Sequence, residues 1–377
     1  MTLLTRRIIY VSLIIFFLIA TPLVLSYSLG YGFDWQKKKL VLTGGFYFKS
    51  SPSGAKIYVN DKANNKTPRL ISRLLPREYN IKILKDGFHS WEKQLPIHSR
   101  VVTEARNIFL IPLQPAINLA EVNLSLNFSI NSYFLIPAEA KRLEQANTTI
   151  KNILAADSFV FNGNKIFYLQ PSDYILYKTD IDGFNKEQIS LNSLPPDIYK
   201  IGISPDQNFI FAIGKSNRLY LLGFGEKIFK LIEIGAKNAE FAPDNKKLLY
   251  YTDSELWVMY LEKILIQPYK ETGEKELITR FAEKIKSAIW YSEDNEHIIF
   301  VIGNTIKITE LDGRGKRNTF DLLSAENFNS DNWNNPQMFY SAKKELLYFI
   351  DNNKLYSVQL KTPQPLISAN SWNFFNN

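Results

Sequence analysis

The larger, C-terminal part of this chain repeats one pattern, and a repeat constrains a fold more strongly than any single motif. Each copy reads as a strand, a polar turn, an apolar strand, a second polar turn and an amphipathic strand. Equivalent turns lie 38, 49 and 49 residues apart, at Pro205, Pro243, Ser292 and Ser341. A second set of turns, 179–183 and 309–313, lies 130 residues apart. A period of about 40–45 residues with four short strands per copy indicates a β-propeller.

Five copies of the repeat are visible, and the earliest begins near Phe159. Residues 114–155 and the C-terminal residues 372–375 are two candidates for a further blade. The repeat therefore predicts a propeller of about five or six blades over residues 114–377. Residues 138–153 are rich in charged residues and alanine, which predicts a short helix in an insertion.

Two copies carry a Pro-Asp pair in the turn before the apolar strand. This turn resembles the Ser-Pro-Asp-Gly turn of the WD40-like repeats in TolB-type periplasmic proteins, and it implies the same propeller fold. Gln207 and Asn245 stand here where those repeats usually have glycine. The motif positions of this resemblance are Pro205, Asp206, Pro243 and Asp244.

An apolar stretch near the N-terminus, residues 8–29, contains 22 residues without a charge. At about 1.5 Å per residue, a helix of this length crosses a hydrocarbon core of roughly 30 Å. The stretch is longer than a usual signal-peptide core, and no clear small-x-small cleavage site follows it, so an uncleaved anchor is favoured over a cleaved signal. Residues 1–34 are predicted to be a cytoplasmic flank and a transmembrane helix, followed by interfacial aromatic residues.

Residues 35–113 alternate between apolar and polar side chains in short runs separated by turns, which predicts a small antiparallel β-sandwich. The order of the turns resembles the PEGA domain of bacterial envelope proteins: a Pro-x-Gly-Ala turn, a Thr-Pro pair and a Lys-x-Gly-aromatic turn. Ser53, Asn65 and Arg77 depart from the family pattern. The positions that match it are Pro52, Gly54, Ala55, Thr67, Pro68, Gly87, Phe88 and Trp91. The resemblance implies an extracytoplasmic module without enzymatic activity.

The net charge of +8 is concentrated beside the membrane segment. Residues 37–113 contain 15 Lys and Arg against 5 Asp and Glu, whereas residues 114–377 contain 28 against 31. A basic domain next to a membrane suggests an anionic neighbour, such as lipid headgroups or acidic wall polymers. The alternative is that the basic residues only solubilise the sheet. Nucleic acid is not expected as a partner, because no recognisable reading helix or aromatic-basic platform is present.

Little in the sequence supports catalysis or metal binding. The chain has no cysteine and only three histidines, His89, His98 and His297. The Asp-x-Asp-Gly run at 180–183 lacks the further ligands of a calcium loop, so we interpret it as a hairpin turn. Nucleophile elbows, Walker loops and dinucleotide fingerprints are absent. We therefore predict no catalytic residues, no metal site and no cofactor.

These observations predict a membrane-anchored binding or scaffolding protein of the bacterial cell envelope, whose propeller engages an envelope protein or glycan. Arg6 and Arg7 favour a cytoplasmic N-terminus, whereas Lys37, Lys38 and Lys39 favour the reverse. The two family resemblances decide for an extracytoplasmic propeller. One alternative is a propeller enzyme acting on envelope glycans or peptides, indicated by carboxylates or His297 in a deep central funnel. The other is a structural spacer without a pocket.

Overall fold

The computed structural model describes residues 3–120, 137–151, 158–223, 225–328, 337–351 and 354–361. The chain divides into two compact units. The first comprises Met1–Leu110 together with Gly313–Asn318, and the second comprises Ile111–Asp312 together with Thr319–Asn377.

The first unit begins with helix α1 (Leu3–Ser28), which has 26 residues and no buried side chain. At about 1.5 Å per residue it is roughly 39 Å long. Its length and composition suffice to cross a membrane. A short antiparallel hairpin follows, formed by β1 (Tyr31–Asp34) and β2 (Lys39–Leu42).

The rest of the first unit contains two sheets that share one core. The strands are β3 (Gly44–Ser51), β4 (Lys56–Val59), β5 (Lys62–Lys66), β6 (Arg69–Leu74), β7 (Glu78–Leu84), β8 (Trp91–Pro96) and β9 (Val102–Phe109). One sheet has the order β6-β3-β9 and the other β5-β4-β7-β8. Every second side chain of β7 and β8 points inward, as the alternating sequence predicts.

The predicted sandwich is confirmed, with one difference in strand direction. β3 and β9 pair in parallel, although the sequence predicts an antiparallel sandwich. After β8 the chain crosses from one sheet to the other and enters beside β3 in the same direction. Both sheets contribute to the core, with Phe46 and Phe48 from one and Ile83, Trp91 and Leu95 from the other.

The second unit contains five four-stranded antiparallel sheets among its described residues, each with the strand order of a propeller blade. It begins with β10 (Ala116–Ala120), which belongs to the last sheet. The first blade contains β11 (Ser158–Asn162), β12 (Lys165–Leu169), β13 (Leu176–Asp180) and β14 (Glu187–Gln188). The second contains β15 (Tyr199–Ile203), β16 (Ile210–Gly214), β17 (Arg218–Leu222) and β18 (Lys230–Ile234). The third contains β19 (Asn238–Phe241), β20 (Lys247–Tyr251), β21 (Glu255–Tyr260) and β22 (Lys275–Arg280). The fourth blade contains β23 (Ile285–Trp290), β24 (His297–Ile302), β25 (Thr305–Glu310) and β26 (Thr319–Ser324). The fifth contains β27 (Gln337–Ser341), β28 (Leu346–Asp351) and β29 (Lys354–Gln359), together with β10.

The fifth sheet joins distant parts of the sequence, because β10 pairs with β29 as its outermost strand. Residues 116–120 therefore complete the fifth sheet and do not begin another blade. The described part of the chain contains five blades, the lower of the two predicted numbers. The other candidate segment, residues 372–375, lies outside the described residues, as do residues 121–136 and 152–157 of the candidate segment 114–155.

The core of this unit lies between adjacent sheets. The second strands of the blades are mainly apolar, and β16, β20 and β24 are buried at every position, including Lys247 and His297 at the starts of β20 and β24. Their alternate side chains pack in opposite directions: Phe211 packs with Phe241 and Tyr250, whereas Ile210 packs with Phe167 and Leu176. A strand buried on both faces is expected to be mainly apolar, which explains these runs.

The predicted insertion helix is confirmed as α2 (Pro137–Thr149). Ala146 and Ile150 pack against Ile166 and Tyr168 of the first blade. The Thr149 hydroxyl donates to the carbonyl of Ile181 at 2.6 Å. A single 3₁₀ turn, Ala325–Phe328, follows β26.

Candidate functional site

The PEGA-like motif positions hold the sandwich together and do not converge on a cleft. Thr67 is buried, its hydroxyl lies 2.6 Å from the Ser50 hydroxyl, and it accepts a hydrogen bond from the Ala55 amide at 3.1 Å. The Gly54 amide donates to the Thr67 carbonyl at 2.8 Å. The two turns of the motif, which also contain Pro52 and Pro68, are therefore bound to each other. Ala55, Phe88 and Trp91 belong to the core.

Gly54 and Gly87 are required by their backbone conformations. Their φ angles are +77° and +84°, in the left-handed region that glycine adopts without steric cost. Arg77 stands where the family has glycine, but its φ is not positive. A positive φ, of 63°, occurs at Arg73. The substitution at Arg77 therefore introduces no left-handed strain.

The Pro-Asp motif of the propeller is a structural turn. Asp206, Asp244 and Asp294 each accept a hydrogen bond from the backbone amide two residues later, at 3.2, 3.0 and 2.8 Å. These aspartates define the register of the repeat. They align Ser292 with Ser204, one position from the Pro205 alignment that the sequence spacing suggests.

His297 lies in the core of the fourth blade, not in a funnel. It is 4% exposed, and its Nδ1 lies 2.8 Å from the Asp294 carboxylate. Burial lowers its pKa, but Asp294 and the nearby Glu310 outweigh that effect and raise the pKa above its ordinary value. Its position indicates a role in holding the turn.

A cleft of about 910 Å³ opens within the second unit, among the innermost strands of four blades. Alternation along these strands directs polar side chains into it. On β15, Lys200 lies between the buried Tyr199 and Ile201; on β19, Glu240 lies between the buried Ala239 and Phe241. The polar and aromatic residues that line the cleft include Lys200, Lys237, Asn238, Glu240, Tyr251, Asp253, Lys286, Trp290, Gln337 and Phe339.

Hydrogen bonds position the side chains in this cleft. The Lys200 ammonium donates to the Asn238 side-chain oxygen at 2.7 Å. The Trp290 indole nitrogen donates to the backbone carbonyl of Glu240 at 3.0 Å. Lys237 lies 3.4 Å from the Asp253 carboxylate. These contacts connect the second, third and fourth blades.

The described residues that line the cleft carry a net positive charge. Glu240 is only half-buried by exposure, but protein surrounds its carboxyl group, and this desolvation raises its pKa to about 7 against the opposing effect of Lys200. Glu240 is therefore close to half neutral at pH 7. The Lys200 side chain is exposed, but the protein around its ammonium partly desolvates it and lowers its pKa, and Glu240 partly opposes that shift. Among the described lining residues, three lysines face two acidic residues, Asp253 and the partly neutral Glu240.

One of the predicted motif residues, Pro243, lines this cleft. The charged lining residues were not predicted. The signal that could have revealed them is a single charge inside an otherwise uncharged innermost strand, as at Lys200, Glu240 and Lys286. Within the described residues, no group of three or more His, Asp and Glu could hold a metal ion.

Comparison with known proteins adds a family match for one region and a loose likeness for the rest. No curated protein matches this chain. The β-propeller domain of Cps50 (Swd1) from Myceliophteria thermophila has a TM-score of 0.38 at 7% identity, over 52% of this chain and 61% of that one. Hsv2 from Kluyveromyces lactis has a TM-score of 0.39 at 12% identity, over 85% of this chain and 76% of that one.

A functionally unknown protein from Desulfotomaculum acetoxidans has a TM-score of 0.34 at 15% identity, over 52% of this chain and 62% of that one. This chain thus spans less than two thirds of that protein and of the Cps50 domain. The five blades are defined by the strand order of their own sheets. The PEGA domain family matches residues 43–107, which confirms the resemblance of the small sandwich to that family.

Proposed function

We propose that this chain is a membrane-anchored binding or scaffolding protein of the bacterial cell envelope, with its propeller outside the cytoplasm and without catalytic activity. The ligand is an anionic envelope component, a glycan or a protein segment carrying carboxylate or phosphate groups. It binds in the cleft among the innermost propeller strands. One observation carries the proposal: among the described residues that line the cleft, the three lysines Lys200, Lys237 and Lys286 outnumber the two acidic residues, and one of these, Glu240, is partly neutral at pH 7.

The physical reason is that negative groups in the cleft compensate the positive charge of Lys200 only in part. Although the Lys200 side chain as a whole is exposed, the protein around its ammonium lowers the pKa of Lys200, and Glu240, the carboxyl that opposes this shift, is partly neutral at pH 7. An anionic ligand would supply the missing negative charge through charge-assisted hydrogen bonds, which are stronger than neutral ones. The apolar α1 and the PEGA-like sandwich support an envelope location for this binding surface.

Binding of defined anionic probes to the purified full chain tests this proposal. Fluorescence anisotropy with a labelled acidic oligosaccharide and a labelled poly-glutamate peptide would give the two dissociation constants. We expect Lys200→Gln and Lys286→Gln to weaken binding of at least one probe about tenfold, the effect of losing one charge-assisted contact. Lys227→Gln is the matched control, since it removes the same charge from an exposed position that does not line the cleft. Equal affinities for all variants would contradict the cleft as the binding site.

The pKa of Glu240 predicts how this binding depends on pH. Below about 7 the carboxyl is mainly neutral and the cleft is most positive. As pH rises through 7, Glu240 ionises and repels an anionic ligand, so affinity falls between pH 6 and 8. Glu240→Gln should remove this dependence and keep the affinity of the low-pH form. A wild-type affinity that stays constant over this range would show that Glu240 is not near the bound ligand.

A second candidate function is hydrolysis of an envelope glycan. A carboxyl with a pKa of about 7 is suited to general acid–base catalysis, and Asp253 is a second carboxyl in the same cleft. Incubation with cell-wall glycan fragments, followed by mass spectrometry, separates the two functions. Products formed by the wild type but not by Glu240→Gln would identify an enzyme. If the chain neither binds the anionic probes nor hydrolyses the glycan fragments, the remaining role is that of a structural spacer.

A further inference from the structure

The β1–β2 hairpin (Tyr31–Leu42) follows the membrane helix almost directly. α1 ends at Ser28 and β1 begins at Tyr31, so two residues separate them. The three peptide units from Ser28 to Tyr31 extend at most about 11 Å. If α1 crosses the bilayer, as the proposed function requires, the hairpin emerges at the level of the lipid headgroups.

Several contacts fix the hairpin and the sandwich to the end of α1. The Gly30 carbonyl accepts hydrogen bonds from the Thr43 amide at 2.9 Å and the Thr43 hydroxyl at 2.7 Å. Arg73 donates to the Tyr27 carbonyl at 3.2 Å, and its guanidinium lies 3.4 Å from the centre of the Tyr27 ring. A cation at the last carbonyls of a helix is favourable for capping and for the helix dipole. The hairpin is therefore held close to the helix end.

One face of the hairpin is apolar and exposed. Phe33 pairs directly with Leu40 across the two strands, so both side chains project from the same face. Trp35 continues that face, and its ring lies 4.7 Å from the Phe33 ring. Trp35 is 81% exposed, Leu40 54% and Phe33 42%. Aromatic side chains at a helix end are typical of the membrane interface.

The turn of the same hairpin is basic. Lys37, Lys38 and Lys39 are consecutive and exposed. Asp34, the one acidic residue between Tyr31 and Leu42, accepts hydrogen bonds from the backbone amides of Gln36 and Lys37. An apolar aromatic face beside three lysines matches the chemistry of an anionic bilayer surface, with acyl chains beneath phosphate groups.

We propose that the β1–β2 hairpin is a second membrane contact, which lies in the interface of a bilayer containing anionic phospholipids. Phe33, Trp35 and Leu40 insert below the headgroups. Lys37, Lys38 and Lys39 pair with lipid phosphates. The inference depends on the membrane anchoring in the proposed function, and continuity with α1 favours a lipid surface over a protein partner.

Single-cysteine labelling tests this proposal in the full chain, which has no native cysteine. Bimane is attached at Gln36→Cys in the hairpin turn, at Ile15→Cys in the middle of α1, and at Asn64→Cys, an exposed control position in β5. The proteins are reconstituted into phosphatidylcholine vesicles with or without phosphatidylglycerol, and quenching by headgroup-level spin-labelled lipid and by aqueous iodide is measured. With phosphatidylglycerol present, we expect at least twofold stronger lipid quenching at Gln36 than at Asn64, and weaker iodide quenching.

Two variants separate the parts of the contact. Lys37→Gln, Lys38→Asn and Lys39→Gln together should abolish the effect of phosphatidylglycerol; asparagine is chosen because Lys38 has a φ of 47°. Trp35→Ser should reduce lipid quenching at Gln36 in both vesicle types. Equal quenching in neutral and anionic vesicles would overturn the pairing with phosphates.

The other outcomes distinguish the hairpin from the anchor. If the Ile15 label is quenched by a bilayer-centre spin label but Gln36 remains as open to iodide as Asn64, the hairpin proposal fails while the anchor stands. In that case the exposed face is left for a protein partner. If the Ile15 label is not quenched, the membrane anchor itself is wrong, and the hairpin proposal falls with it.

Discussion

At the scale of single residues, Lys247 shows how adjacent blades are joined by charge. Its side chain is almost fully buried, with Nζ 2.9 Å from the Asp244 carboxylate and 3.0 Å from the Glu296 carboxylate. Burial lowers the pKa of Lys247, but Glu296 and Asp244 more than compensate and hold it above its ordinary value. Asp244 precedes β20 in the third blade, and Glu296 precedes β24 in the fourth.

Replacing Lys247 by methionine should destabilise the propeller by about 3–5 kcal/mol, because two carboxylates lose the cation that compensates them. Urea unfolding followed by far-ultraviolet circular dichroism would measure the loss. Lys246→Met is the matched control: this neighbouring lysine is exposed, so its replacement should change stability by no more than about 0.5 kcal/mol.

A double variant identifies the cause. Adding Glu296→Gln to Lys247→Met removes one of the uncompensated carboxylates and should recover part of the lost stability. A single-variant loss below about 1 kcal/mol, or no recovery in the double variant, would show that the ion cluster does not stabilise the contact between the blades.

At the scale of structural elements, the turn before the second strand of a blade has a recurring backbone conformation. The residue after the aspartate has positive φ in three blades: 63° at Gln207, 64° at Asn245 and 57° at Asn295. Glycine adopts this conformation without the steric cost that a Cβ imposes. Asn245 has a further role, since its side-chain oxygen accepts a hydrogen bond from the Asp206 amide of the preceding blade at 3.1 Å.

Gln207 is the position where glycine should improve the turn. Gln207→Gly relieves a left-handed conformation, which costs about 1–2 kcal/mol, but adds backbone freedom to the unfolded chain. We expect a net stabilisation of about 0.5–1 kcal/mol, read as a higher midpoint in thermal unfolding.

Two controls accompany that measurement. Gln207→Val should lower the midpoint, because a β-branched side chain tolerates positive φ poorly. Asn208→Gly should also lower it, because the Asn208 side chain donates to Asp206 at 2.7 Å. A glycine at position 207 that destabilises the protein would mean that the glutamine side chain makes a contribution beyond its backbone conformation.

At the scale of the whole molecule, basic charge, apolar helix and propeller are segregated along the chain. The excess of Lys and Arg lies in residues 37–113, next to α1. The side of the membrane on which each of the two compact units lies can be measured with one label in each unit. Asn245, in the turn before β20, is unsuitable for this label because its side chain is half-buried and hydrogen-bonded.

Lys62→Cys in the sandwich and Lys227→Cys in the propeller place one thiol each at exposed positions. In intact cells, a membrane-impermeant maleimide should label both, because the proposed function requires both units to be outside the cytoplasm. Permeabilised cells provide the control for reactivity. Labelling only after permeabilisation would place the units in the cytoplasm and contradict an envelope ligand.

The sequence by itself determined the local structure of most of the described chain. The apolar stretch predicts α1, alternation predicts strands such as β7, and continuous apolar runs predict the buried strands β16 and β20. These predictions succeed because side-chain periodicity depends on the backbone geometry of neighbouring residues. The PEGA-like turns could be recognised for the same reason, since a glycine at positive φ is a local requirement.

Only the tertiary structure decided which distant residues meet. The pairing of β10 with β29 sets five sheets among the described residues, and no local pattern contains that information. Lys200, Glu240 and Lys286 belong to three different blades, and they face one cleft because the blades pack side by side. The pKa of Glu240, about 7, depends on desolvation by that packing. Charge–charge interactions and desolvation act through space, so residues far apart in sequence determine them together.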